Sequence, residues 1–171
     1  MRELKIYVAG PDVFRKDGVS VLESKKDICE KYGCIGITPF DKMMDFNQSS
    51  EAIRSSIYLS NVNYIKECDV IIADLNNFRH NEQDAGTIFE IGFATALNKQ
   101  VLFYSSDSRT LLEKTQELQP NHTIDGKQVF DDNGMEIENF NGQFNLMINE
   151  SGTFVNGDFE DAVKMLVEKT A

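Results

Sequence analysis

Basic residues are scarce in this chain: 17 lysines and arginines stand against 28 aspartates and glutamates, a formal net charge of −11. Non-specific nucleic-acid binding needs the opposite balance, so that class of partner is excluded, while a small uncharged ligand is not repelled. Cysteine is equally sparse. Cys29, Cys34 and Cys68 are odd in number and include no C-x-x-C, which argues against a disulfide framework or a zinc site and suits a reducing, cytoplasmic compartment. His80 and His122 are the only histidines and have no ligand spacing, so no metal is expected. No run approaches the ~18 apolar residues of a membrane span. Neither Gly-x-x-x-x-Gly-Lys-Ser/Thr nor Gly-x-Gly-x-x-Gly occurs, which removes two common phosphate and dinucleotide cradles; no cofactor is expected. Met1-Arg2-Glu3-Leu4-Lys5-Ile6 carries charge where a secretory leader is apolar, and reads as the start of a strand.

What is present is ordinary globular material. The 171 residues, 41% hydrophobic and 26% charged, suit a single domain over 1–171 with one sizeable core. Short apolar runs at 4–9, 34–38, 69–75 and 101–104 read as strands. Helical spacing appears at 18–32, 51–67, 86–98, 109–119 and 158–169, with Gly33 as a stop for the first helix. Asp131-Asp132-Asn133-Gly134 suggests a short hairpin within 128–138. Alternating strands and helices predict an α/β fold: a doubly wound, flavodoxin- or Rossmann-like sandwich around a mostly parallel five-stranded sheet. Such sheets bind ligands beyond the carboxyl ends of their strands. The informative loops are therefore 10–17, 39–50 and 76–87.

The densest candidate site is Asp84-Ala85-Gly86-Thr87-Ile88-Phe89-Glu90-Ile91-Gly92-Phe93-Ala94, at a strand–loop–helix junction. Glu90, placed by the pattern in the first helical turn, would feel the positive end of the helix dipole, which favours its ionised form. An ionised carboxylate can attack a sugar C1′, and a second group, Asp84, could protonate what leaves. On spacing alone the plainer meaning is commoner: Asp84 and Thr87 cap the helix. Gly10-Pro11-Asp12, flanked by Tyr7 and Phe14, offers close backbone approach, an orienting hydroxyl and a stacking ring, or simply a tight turn. Asp41 after Pro39-Phe40 and Asn145 in Gly142-Gln143-Phe144-Asn145 are polar contacts or turn residues. Arg79 and His80 read as solvent-exposed.

Together, Ile6-Tyr7-Val8-Ala9-Gly10-Pro11-Asp12-Val13-Phe14, Thr38-Pro39-Phe40-Asp41, Cys68-Asp69-Val70-Ile71-Ile72-Ala73-Asp74-Leu75, Phe78-Arg79, Asp84-x-Gly86-Thr87-x-x-Glu90-x-Gly92-x-Ala94 and Asn145-Leu146-Met147 resemble the nucleoside 2-deoxyribosyltransferase family. The resemblance runs from about residue 4 to residue 148. It implies transfer of 2-deoxyribose between purine or pyrimidine bases through a covalent ester on Glu90. Tyr7 would orient Glu90, and Asp84 would contact the substrate. Gly10, Pro11, Phe14, Asp41, Asn61 and Met147 would line or contact the pocket. The implied partners are a deoxynucleoside and a free nucleobase. Asn145 would reach the 5′-hydroxyl from a neighbouring subunit, making the protein a homo-oligomer built from dimers, up to a hexamer.

There are departures. Some members carry an aspartate, the donor of a proton to the leaving base, where this chain has Asn61; an amide cannot act as a carboxylic acid does. Asp84 is the substitute. A glutamine that follows the Pro-Phe-Asp-like turn in some members is replaced near Lys42 and Met43. The alternatives are a hydrolase using Glu90 on a nucleoside or its 5′-monophosphate, and a non-catalytic nucleotide-binding module. Asp12, in the first turn, argues against a phosphorylated ligand by repulsion, although Arg15 is close by.

Overall fold

Side chains of a strand point alternately to the two faces of its sheet, and the first strand uses both. Ile6 and Val8 join one buried cluster, Tyr7 and Ala9 the other. A strand buried on both sides belongs in the middle of a parallel sheet. The computed structural model, which describes residues 2–41, 47–80 and 82–170, places it there.

The chain begins with β1 (Lys5–Ala9), a 3-10 turn (Pro11–Phe14), α1 (Gly18–Lys31) and β2 (Ile35–Ile37). It continues through α2 (Ser50–Glu67), β3 (Val70–Asp74), α3 (Ala85–Ala96), β4 (Gln100–Ser105) and α4 (Leu111–Leu118). The last third holds a hairpin of β5 (Thr123–Asp125) and β6 (Gln128–Phe130), then α5 (Leu146–Asn149), β7 (Thr153–Asn156) and α6 (Phe159–Thr170). The main sheet has the order β2-β1-β3-β4-β7, and every neighbouring pair is parallel. That is the flavodoxin-like order, with its switch point between β1 and β3.

Two apolar layers close the sandwich. Leu22 and Cys29 of α1, with Phe159, Ala162, Val163 and Leu166 of α6, cover one face. Ile65 of α2 and Ile91 and Ala94 of α3 cover the other, completed by Phe144. Helix ends follow local chemistry. Ser49 caps α2 by accepting from Ala52 N at 3.3 Å, and Gly33, at φ +73°, takes the left-handed conformation that ends α1.

The fifth strand is β7, four residues set between Gly152 and Gly157. The turn expected at residues 131–134 is present: Phe130 bridges Glu136, and Asp131 Oδ1 accepts from Asn133 N and Met135 N, each at 2.9 Å. A second hairpin precedes it, where Thr123–Asp125 pairs with Gln128–Phe130. Among the described residues no helix is long and apolar enough to cross a membrane. Among the same described residues, no group of three or more His, Cys, Asp or Glu is placed to hold a metal ion.

Candidate active site

The alternation in β1 sends Tyr7 to the face covered by α2 and α3. Its side chain is fully buried, and its hydroxyl donates to Glu90 Oε1 at 2.7 Å. Asn61, on α2, donates its Nδ2 to the same oxygen at 3.4 Å. Its own Oδ1 is buried without a hydrogen-bond partner. The reversed amide would set that oxygen against a carboxylate, so the donor side faces Glu90. Three elements far apart in sequence thus converge on one carboxylate.

Asp84 is the N-cap of α3: its Oδ2 accepts from Thr87 N at 2.9 Å and from Thr87 Oγ1 at 2.8 Å. It also lines the cleft that Glu90 faces. The two readings of this residue, cap and ligand contact, are compatible, because both capping bonds fall on one oxygen.

The expected electrostatics of Glu90 need correction. Glu90 lies six residues beyond the cap, in the second turn of α3, where the dipole has largely faded. Burial dominates and pushes its carboxyl up to about 7, with the nearby Asp84 carboxylate adding to the rise. The hydrogen bonds from Tyr7 and Asn61 pull the other way and do not cancel it. Burial and the adjacent Glu90 push the Tyr7 phenol far above its ordinary value, so it remains a donor.

The cleft has a volume of about 350 Å³, within the range of small-molecule sites. Glu90, Asp84 and Asn61 form its polar end, and Gly10, Val13 and Phe14 one wall. Pro39, Phe40, Ile57 and Gly86 complete it. Phe14 stacks on Phe78, with ring centroids 5.2 Å apart. Arg79 is exposed, as expected, but its guanidinium lies 4.6 Å from the Phe78 ring centre and 5.8 Å from that of Phe14. His80 is exposed and lines no part of the cleft.

Other expected contacts lie elsewhere. Pro11 borders a neighbouring recess with Asp12, Arg15 and Asp74. Asp41 is occupied by Thr38 N and Oγ1, at 3.1 and 2.7 Å, and by Lys26 Nζ at 3.1 Å; it ties down the end of β2 and does not line the cleft. Asn145 caps α5 through Met147 N, binds Glu138 and borders a separate pocket of about 470 Å³. Met147 is 73% exposed. Lys42 and Met43 fall outside the described residues.

Phosphate would meet less repulsion at Asp12 than the sequence predicts. Asp12 is buried and ion-paired with Lys25, so it presents no bare negative charge, and Arg15 is held by Asp17. The cleft residues that sequence reasoning missed, Val13, Pro39, Phe40, Ile57 and Gly86, are apolar or glycine and carry no chemical signature. All but Ile57 lie within motifs already singled out.

The family model for nucleoside 2-deoxyribosyltransferases matches residues 6–147. The chain belongs to the nucleoside 2-deoxyribosyltransferase family. A solved 2-deoxyribosyltransferase from Leishmania mexicana is 32% identical, with 98% of this chain and 99% of that one covered at a TM-score of 0.75. A second, from Bacillus psychrosaccharolyticus, is 19% identical, covering 92% and 88% of the two chains at a TM-score of 0.58; it shows the shared fold. An uncharacterised protein of Schizosaccharomyces pombe is 28% identical over 171 residues, 90% of this chain and 81% of its own length. Membership in the nucleoside 2-deoxyribosyltransferase family makes this a glycosyl-transferring enzyme.

Proposed function

We propose that the protein exchanges the base of a 2′-deoxynucleoside for a free nucleobase through a covalent deoxyribosyl ester on Glu90. The observation that carries this reading is the Tyr7–Glu90 hydrogen bond at one end of a mostly apolar cleft. Both Tyr7 and Asn61 bind Oε1, so Oε2 is the oxygen that attacks. It forms a bond to C1′ as the C1′–N bond breaks, and the departing base takes up a proton. A nitrogen of the incoming base then attacks C1′ as the C1′–O bond to Glu90 breaks, releasing the carboxylate, and the proton that this nitrogen loses restores the one given to the departing base. Two displacements give net retention. Asp84 is the only other carboxyl lining the cleft among the described residues, and we assign it the proton for the leaving base. Phe14 supplies the face on which a base stacks.

Asn145 and Met147 lie outside this cleft, which supports their belonging to a neighbouring subunit's site. On this reading the assembly is built from dimers.

Thymidine or deoxyinosine incubated with adenine should yield a new deoxynucleoside, resolved by chromatography. Free base released at an unchanged rate without an acceptor, and no exchanged product, would make the enzyme a hydrolase instead.

The raised Glu90 carboxyl fixes the pH profile. The nucleophile must be ionised, so kcat/KM should rise with pH and level off above about 7. Tyr7→Phe removes a hydrogen bond that favours the carboxylate. Its acidic limb should move to higher pH and its plateau should drop. A limb displaced to lower pH would contradict the proposed role of Tyr7.

A further inference from the structure

Lys25 and Asp12 form a charged pair that the chemistry above leaves unused. Lys25 is 8% exposed and Asp12 7%. Lys25 Nζ donates to Asp12 Oδ2 and, at 2.8 Å, to the Tyr104 hydroxyl. It also lies 5.3 Å from the ring centre of Phe159 and 5.5 Å from that of Tyr104. Tyr104 is in turn the register partner of Asp74 on β3. The result is a polar chain from the 3-10 turn through α1 to β4, buried at the carboxyl edge of the sheet.

Burying two charges carries a desolvation penalty of several kcal/mol per ion, and a well-packed apolar pair is often at least as stable. Stability alone therefore accounts poorly for this pair. Its location points to a positional role. Asp12 sits inside Pro11–Phe14, near the middle of this short turn. On its inner side it is already in close contact. A Cβ on Gly18 would come within 2.3 Å of the Asp12 carbonyl oxygen, and one on Gly10 within 2.9 Å of Asp74 Cβ. On its outer side it presents Val13 and Phe14 to the cleft, Phe14 being 60% exposed. The ion pair fixes the middle of the segment whose two ends form the cleft wall.

We infer that the Lys25–Asp12 pair, with Tyr104, positions the Gly10–Phe14 wall and thereby sets substrate affinity, leaving the Glu90 chemistry untouched. Lys25 and Tyr104 are positioning residues: neither lines the cleft. Glu90, Tyr7 and Asn61 belong to the opposite face of the sheet and need none of this network. The inference rests on the cleft being the substrate site.

The test is steady-state kinetics of base exchange with Lys25→Met and Tyr104→Phe, each combined with Phe14→Ala. A base gains affinity by stacking on an aromatic ring. Losing part of it should raise KM about tenfold in Lys25→Met and less in Tyr104→Phe, with kcat within about threefold of wild type. Once Phe14 is alanine, either change should add little, since the ring it positions is gone. Unchanged KM in a folded variant, a fall confined to kcat, or full additivity with Phe14→Ala would each overturn the inference. If Lys25→Met fails to fold, Tyr104→Phe, which keeps both charges, decides. If the wild type exchanges no base, the proposed function fails separately. Thymidine affinity measured by calorimetry on the same variants then tests the positioning role.

Discussion

Glu90→Gln should all but abolish base exchange and, at the same time, make the folded protein more stable at alkaline pH. The first half follows from loss of the nucleophile. Removing such a group from a covalent mechanism costs about 10⁴-fold or more in kcat, and a glutamine oxygen cannot form and release the ester. The second half follows from burial. A carboxyl whose folded value is about 7, above its ordinary value of 4.5, binds its proton more tightly in the fold than in the unfolded chain. Ionising it destabilises the fold. That destabilisation is fully present above about pH 7 and is relieved as pH falls towards 4.5. Glutamine is neutral throughout and can still accept from the Tyr7 hydroxyl. The variant should therefore melt higher than wild type at pH 8, with the gap closing near pH 5. In a domain of this size each kcal/mol relieved raises Tm by about 2–4 °C. Scanning calorimetry at the two pH values measures it. A variant less stable than wild type at pH 8 would show that Glu90 is not held against a desolvation penalty, and the acidic limb assigned to it would lose its cause.

This trade of stability against function has a visible structural source. The site is assembled from three elements, β1, α2 and α3, whose main task is to bury apolar surface. Tyr7 is a core residue by position, and its hydroxyl is turned to Glu90. Asn61 retains a buried, unpartnered oxygen for the sake of the donor it turns towards Glu90. An aspartate there would add a negative charge beside a carboxylate that burial already disfavours. The amide supplies a hydrogen bond without that charge, and under the proposed mechanism the task of protonating the base falls to Asp84, which Thr87 holds in place.

How much of this could be read from the sequence depends on which interactions are local. β1 and β3 announce themselves as apolar runs ended by turn residues, and the Asp84–Glu90 segment by spacing that is both a cap and a functional pattern. The ionisation of Glu90 was not legible. Its sign turns on whether a helix end or the surrounding core dominates, and the core is built from residues scattered from Tyr7 to Phe144. β7 gave little warning, since four residues between glycines carry too few positions for a period. Lys25 did carry a signal. It falls with Leu22 and Cys29 on the buried stripe of α1, where a lysine requires a partner. Finding that partner in Asp12 needed the fold, because only the turn after β1 brings the two together.

Mixing two inactive variants should restore activity if the site is shared between subunits. Asn145 borders a different pocket from Glu90, and Met147 is exposed, which on the proposed reading assigns both to a neighbouring subunit's cleft. Suppose each site takes Glu90 from one chain and Asn145 from its partner. Glu90→Ala and Asn145→Ala homodimers then contain only defective sites. A heterodimer contains one site with both changes and one with neither. Random exchange of a one-to-one mixture makes half the dimers mixed, and half of their sites are intact, so the mixture should recover about a quarter of the wild-type rate. The Asn145 amide has the capacity for this role. Its oxygen accepts from Met147 N and one of its hydrogens serves Glu138, leaving a second N–H for a sugar hydroxyl. The variants would be mixed under mild denaturation, refolded together and assayed for base exchange. No recovery from chains shown by mass to have formed heterodimers would assign Asn145 to its own subunit. Recovery would tie substrate binding to assembly, so that dilution below the dimer dissociation constant should silence the enzyme with its core still folded.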